Sequence, residues 1–286
     1  MSLSRRPATL VSPRPSSLPS PRRQAPVHVL VVVEENQGYG PTLGTCSADP
    51  YLCSLASTYA SLTNWYGIAH GSFVDYLALD SGSTQGQTFD CGTCGPFASA
   101  DLGGQLSAKR IPWTAYIESM PWACYRGVGT GAYKKTHNPF VYFNDVLNNA
   151  CASHDVPYPG VTSMIRALNS SSAPAYVFIT PNLLHDMHTG TVQQGDAWLK
   201  ANLAPVLTSS WFTNFKSTVI VTMDEGGASG SNNQIATVII SNNAKGMGAI
   251  DIAGDHYGTL RTIEEAFGLS LLGGASSGTD LSSLFG

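Results

Sequence analysis

Charge is what this sequence has least of. Lys, Arg, Asp and Glu make up 12% of its 286 residues, about half the usual share of roughly 25%. Ser, Thr, Asn and Gly must therefore carry the surface, a composition that points to an extracellular protein. No apolar run approaches the roughly 20 residues that span a bilayer, so stable membrane insertion is not expected. The N-terminus also lacks the continuous apolar stretch of a secretory leader. A secreted destination is thus expected without an evident leader. Neither a G-x-x-x-x-G-K-[ST] loop nor a G-x-G-x-x-G turn after a strand is present, and nucleotide-binding folds drop out with them. Gly71-Ser72 is followed by bulky Phe73 and Val74, which rules that serine out as the nucleophile elbow of an α/β serine hydrolase.

What charge there is lies unevenly. Residues 1–26 hold Arg5, Arg6, Arg14, Arg22 and Arg23 and no acid, leaving ten basic against 19 acidic residues in the remainder. An acidic body argues against nucleic acid as a partner. The basic segment is rich in Pro and Ser and has no aromatic residue, so residues 1–26 are expected to be disordered. The full sequence is 43% hydrophobic, and the remaining chain, 27–286, is long enough for one α/β domain with a well-filled core.

Six cysteines are present. Proximity along the chain suggests Cys46–Cys53, Cys91–Cys94 and Cys124–Cys151. CGTCG also has the form of a redox or zinc motif, but its loop-like surroundings favour a structural disulfide. Disulfides again point outside the cytosol.

Two apolar runs organise the chain. One, from Val27, ends in Glu34, Glu35 and Asn36; the other, STVIVTMDEGG, ends in Asp224 and Glu225. Short apolar runs suit buried strands of a parallel sheet, and open α/β sheets bind ligands at the C-terminal strand edge. Two such strands delivering acidic pairs to one edge would build a cation site from oxygen ligands. Further strands are read at Trp65–Ala69, WTAYIES, AYVFITPN and QIATVIIS. Helices are read at Tyr51–Leu62, after Ser72 (with Ser72 as N-cap and Asp75 in a capping-box variant), Ala100–Lys109, PFVYFNDVLNNA, Val161–Leu168, Val192–Leu203 and after His256. The alternation predicts an α/β fold: a mainly parallel central sheet with helices on both faces.

Several strand ends carry groups of one chemical kind: Ser72 with His70 before it, Asn182 with His185, Asp186 and His188, and His256 with Asp255. A hydroxyl nucleophile among carboxylates and histidines suits metal-assisted phosphoryl transfer. EENQGY, HNPFVYF, PNLLHDMHTG, TMDEGG and HYGTLRTIEEAFGL, in that order, resemble the phosphoesterase family of secreted acid phosphatases and phospholipases C, in the alkaline-phosphatase-like superfamily. The likeness covers about Val27 to Leu269.

The resemblance implies a single alkaline-phosphatase-like catalytic domain over 27–286. Its activity would be metal-dependent phosphomonoester hydrolysis through a phosphoseryl intermediate. Ser72 would be the nucleophile and a metal ligand, with Glu35, Asp224 and Glu225 completing the metal site. Asn36 would contact phosphate or metal, and His188 and His256 would hold the phosphoryl group or assist the leaving group. His137, Asn138, His185 and Asp186 would line the substrate pocket. The cofactor would be a divalent ion, Ca, Mg, Mn or Zn, and the partner a small phosphate ester; the oligomeric state stays open. Alternatives are a phospholipase C or phosphodiesterase, and a catalytically impaired phosphate-binding protein. The last arises because Val74 and Asp75 stand where the family has Pro and Asn. Asp75 is expected to repel phosphate or alter metal affinity.

Overall fold

The computed structural model describes residues 27–227 and 232–286. The segment 1–26, expected to be disordered, lies outside the described residues. Among the described residues ten strands form in chain order: β1 (Val27–Glu34), β2 (Ala60–Tyr66), β3 (Trp113–Ile117), β4 (Gly129–Thr130), β5 (Tyr133–Lys134), β6 (Asp155–Pro157), β7 (Tyr176–Thr180), β8 (Lys216–Met223), β9 (Thr237–Ser241) and β10 (Gly248–Asp255). Helices interleave with them: α1 (Pro50–Thr58), α2 (Ser72–Ser81), α3 (Leu102–Ala108), α4 (Asn144–Asn148), α5 (Cys151–His154), α6 (Val161–Leu168), α7 (Val192–Leu207), α8 (Ser210–Thr213) and α9 (His256–Phe267).

Eight strands make one sheet in the order β10-β2-β9-β8-β1-β7-β3-β6. Only β9 runs antiparallel to its neighbours; every other pairing in this sheet is parallel, as expected. β4 and β5 form a separate hairpin. The helices pack in two groups, α1, α6, α7 and α8 in one and α2, α3, α4 and α9 in the other. The apolar run of β1 is buried from His28 to Glu34, as a central strand must be.

One register decides the rest. β8 pairs with β1 without a shift, from Val27 opposite Lys216 to Glu34 opposite Met223, and Asp224 donates its N–H to Glu34 O at 2.9 Å. The two acidic strand ends are therefore adjacent. All three expected disulfides form, Cys46–Cys53, Cys91–Cys94 and Cys124–Cys151.

Several elements differ from the sequence reading: β4, β5, β6, α5 and α8 were not foreseen, and three further differences have a clear cause. The helix expected over Tyr51–Leu62 ends at Thr58 and β2 starts at Ala60, because Ala60, Leu62 and Trp65 must enter the sheet core. β10 was unforeseen: GAIDIAGD is poor in strand-forming residues, and its side chains alternate between partly buried and exposed at a sheet edge. PFVYFNDVLNNA divides into a 3-10 turn, Pro139–Tyr142, and α4. Phe97 interrupts it, donating N–H to Tyr142 O and accepting from Asn144 N.

Two turns along α2 from Ser72, Asp80 is buried with both carboxyl oxygens unpartnered among the described residues. Burial, then Asp101 and Glu264, raises its pKa well above the ordinary value. Burial likewise pushes Glu264 from 4.5 up to about 8, against its hydrogen bond from Leu272 N. The native fold thus keeps a proton that the unfolded chain has lost between these values, and stability falls as pH rises through that window. The thermal midpoint is expected to be lower at pH 8 than at pH 5. Glu264→Gln should narrow that gap by at least about 2 °C, the equivalent of about 1 kcal/mol; calorimetry at the two pH values reads it.

Candidate active site

The site forms where β1 and β8 end. Asn36 adopts a left-handed backbone (φ 55°), which asparagine tolerates better than most residues. This turn aims its N–H at Asp224 Oδ1, 2.9 Å away, while its Nδ2 donates to Glu35 Oε2 at 3.2 Å. From the other side the first residue of α2, Ser72, donates Oγ–H to Glu35 Oε2 at 2.9 Å. Ser72 is not the N-cap; that position is Gly71. The helix is capped instead from a distant loop, Asp90 Oδ1 accepting from Phe73 N at 3.0 Å.

Two histidines complete the group. His137, from a 3-10 turn at Lys135–His137, sets Nδ1 at 3.3 Å from both Glu35 Oε1 and Asp186 Oδ2. Tyr76 stacks on its ring at 5.5 Å. Asp186 is tied in by backbone and side chain: its O accepts from Glu35 N at 2.7 Å, and its Oδ1 from His188 N at 2.8 Å. The His188 ring lies 5.5 Å from that of His137. Ligand atoms of Glu35, His137 and His188 all fall within 4.8 Å of one another.

Glu35, Asp186 and Asp224 are three carboxyl groups essentially withdrawn from water. Burial, followed by the charges of Asp224 and Asp186, raises Glu35 well above the carboxylate range. Burial lifts Asp186 to about 7 and depresses His137 to about 4; it also lowers His188. Asp224 Oδ2, His137 Nε2 and His188 Nδ1 have no hydrogen-bond partner among the described residues, and Glu35 Oε1 and Asp186 Oδ2 have only the 3.3 Å contact to His137 Nδ1. Buried polar atoms are normally paired, and like charges this close need a counter-charge. The orphaned donor set, carboxylate oxygens with imidazole nitrogens, therefore fits a divalent cation.

Other expected residues stand at different distances from this centre. Glu225 lies at the rim, 3.3 Å from His70 Nδ1, and is raised to about 7 by burial and then Asp224. His256 is buried; its Nε2 meets Asp224 O at 2.5 Å. It holds the Asp224 peptide, a more indirect position than the phosphoryl contact expected. Asn138 turns away, donating Nδ2 to Asp155 Oδ1 at 2.9 Å. His185 also turns aside, its Nδ1 2.9 Å from Glu118 Oε2 and its ring over Trp198. These two do not share the centre with Ser72, because each already has a partner on another strand or helix.

Asp75 corrects an expectation. Its Oδ1 accepts from Ile68 N at 2.5 Å and Ala69 N at 3.3 Å, holding the loop that presents Ser72. Burial and then Asp224 push its carboxyl up to about 9, a shift toward the uncharged form, whose shape matches the amide it replaces. Sequence reasoning missed Asp90, Tyr76 and this role of Asp75. No local pattern announces a cap supplied from a loop, although the resemblance had singled out position 75.

The model of the Phosphoesterase family matches residues 45–270. A phosphatidylinositol-3-phosphatase of Mycobacterium tuberculosis is 31% identical over 259 residues, covering 91% of this chain and 83% of its own. A phosphate-repressible acid phosphatase of Penicillium chrysogenum is 29% identical over 256 residues, covering 86% of this chain and 60% of its own. Among solved structures, a protein of the alkaline phosphatase superfamily from Vibrio parahaemolyticus superposes with a TM-score of 0.55 at 14% identity, over 86% of this chain and 67% of its own. The lipoteichoic acid synthase LtaP of Listeria monocytogenes gives 0.59 at 10% identity, over 89% and 76%. The structural neighbours share the fold, and the sequence match over 45–270 settles the lineage: the chain belongs to the phosphoesterase family.

Proposed function

We propose that the centre hydrolyses phosphate monoesters through Ser72. The observation that carries this reading is the buried hydroxyl of Ser72, 2.9 Å from Glu35, beside a cluster in which Asp224 Oδ2, His137 Nε2 and His188 Nδ1 lack partners among the described residues. Glu35, Asp186, Asp224, His137 and His188 would hold a divalent cation, and the imidazole nitrogens favour a borderline ion such as Zn, Mn or Fe over Ca. Such an ion, when bound, lowers the pKa of a nearby hydroxyl and offsets phosphate charge.

The chain's own residues do the rest. Ser72 Oγ attacks phosphorus and passes its proton toward Glu35 Oε2. The N-terminus of α2, where Ser72 sits, favours the negative charge of the phosphate. Water protonates the leaving alcohol, because the imidazole of His188 is committed as a would-be ligand of the cation. Water then cleaves the phosphoserine. His256 acts through Asp224, whose carbonyl it holds.

A diester reading has one observation in its favour. Of the six exposed large apolar side chains among the described residues, Val128 lines the groove beside the centre and Phe89 precedes Asp90, which caps the helix of Ser72. An amphiphilic ester would suit them. Comparing p-nitrophenyl phosphate with p-nitrophenyl phosphorylcholine decides: the monoester should be turned over at least about tenfold faster, and diester preference would reverse the assignment. Three disulfides favour an oxidising, extracellular compartment. No helix among the described residues is long and apolar enough to cross a membrane.

Asp75 separates an enzyme from an impaired relative. Asp75→Asn keeps the Oδ1 acceptor and is expected to retain activity within about threefold. Asp75→Ala leaves Ile68 N and Ala69 N without their acceptor and should lower kcat by about tenfold or more, the cost of a lost buried hydrogen bond. Steady-state kinetics of the two variants reads this directly. A large gain in Asp75→Asn would mean that the native carboxyl is charged and inhibitory.

A further inference from the structure

Beside the centre, a groove of about 560 Å³ runs between the β4–β5 hairpin and the Cys91–Cys94 loop. Its lining includes Asp90, Thr93, Thr130, Lys134, Thr136 and Leu183. It adjoins the reacting centre at two points: Asp90 caps the helix that begins with Ser72, and Thr136 precedes His137. The wall opposite the hairpin is built firmly. Tyr142 donates its hydroxyl to Cys91 O at 3.3 Å, and a side chain on Gly92 would press on Val128 at 3.0 Å.

Two adjacent lysines occupy this region with opposite commitments. Lys135 is buried, donates Nζ to Gly92 O at 3.0 Å and lies 4.0 Å over the Tyr142 ring; it fastens the wall. Lys134 lines the groove itself, and its ammonium makes no ion pair or hydrogen bond among the described residues. Asp90, the groove's carboxylate, has one oxygen engaged by Phe73 N. Among the described residues the groove therefore offers one uncommitted cation, beside the turn that carries His137 and the loop that caps the helix of Ser72.

We propose that this groove receives the leaving group of the ester, and that Lys134 selects leaving groups bearing a second phosphate. This rests on the hydrolase reading above. An ammonium in a walled groove is attractive to a dianion and indifferent to an alkyl chain of the same length. Lys134 is thus a specificity residue whose effect falls on one substrate of a matched pair.

The pair is propane-1,3-diol bisphosphate and propyl phosphate. Lys134→Gln is expected to lower kcat/KM for the bisphosphate, relative to propyl phosphate, by about tenfold or more, the effect of losing a charge-assisted contact. Lys134→Arg should restore most of that ratio. An unchanged ratio in Lys134→Gln, with an unaltered thermal midpoint, would overturn the proposal. Calorimetric titration of the bisphosphate into Ser72→Ala protein, with and without Lys134→Gln, keeps the two readings apart. If the native chain hydrolyses neither ester but Lys134→Gln still weakens bisphosphate binding tenfold, the hydrolase reading fails and the groove assignment survives. If both esters are hydrolysed and neither ratio nor binding responds to Lys134, the groove assignment alone fails.

Discussion

Ser72→Ala is expected to reduce turnover of p-nitrophenyl phosphate by about 10⁴-fold or more, the scale seen when a nucleophile is removed from a catalytic unit. The loss should appear in kcat. Ser72 Oγ makes one hydrogen bond, to Glu35 Oε2, and the start of α2 is held by Asp90 and by Asp75 through the backbone. The variant should therefore fold, with a thermal midpoint within a few degrees of the native chain. Rapid quenching of the native protein with substrate should leave a phosphate on Ser72, readable as an added phosphoryl mass on the peptide containing it. Near-native activity in a folded Ser72→Ala protein would remove this serine from the mechanism.

The second large effect is expected at Glu35, and its two consequences have opposite signs. Glu35 Oε2 takes hydrogen bonds from Ser72 and Asn36, and Oε1 faces His137. Glu35→Gln replaces one of these oxygens with a donor and removes a charge from the cluster. Affinity for a divalent cation and phosphatase activity should each fall by about 10²-fold or more, since a charged ligand is lost. Stability in chelator should rise, because burial and then Asp224 and Asp186 disfavour an ionised group here, and glutamine is neutral without taking up a proton on folding. Metal titration and calorimetry on the same preparation read both. A Glu35→Gln protein that binds the cation as tightly as the native chain would place the cation elsewhere.

The sequence makes parts of this centre plain and hides others. Glu35 and Asp224 stand out because each ends an apolar run, and a run that stops in charge marks a strand leaving the core. That β8 lies directly beside β1 is a fact of register, which alternation of elements does not specify. Asp186 and His188 were visible as a polar group after β7. His137 was expected to line a pocket, yet its ring sits between Glu35 and Asp186, because the 3-10 turn that carries it folds back over the strand ends.

Other residues mislead when read alone. His256 announces a helix start, and only the packing shows it spent on the carbonyl of Asp224. Asp75 reads as an added negative charge, whereas burial shifts it toward the uncharged form and it accepts from two backbone N–H groups. Asn138 belongs to the HNPF motif but its amide serves Asp155 on β6. Lys134 and Lys135 are indistinguishable in the chain. One is committed to a carbonyl and an aromatic ring, and the other faces the groove. Their difference arises where β5 ends at Lys134 and a 3-10 turn begins at Lys135, a boundary that composition does not record.

The most direct test of the account is the metal content of purified protein, followed through chelation and reloading while phosphomonoesterase activity is assayed. The account predicts a bound divalent ion in the active protein, loss of ion and activity together on chelation, and return of both when the ion is restored. Full activity in protein shown to be metal-free would contradict it.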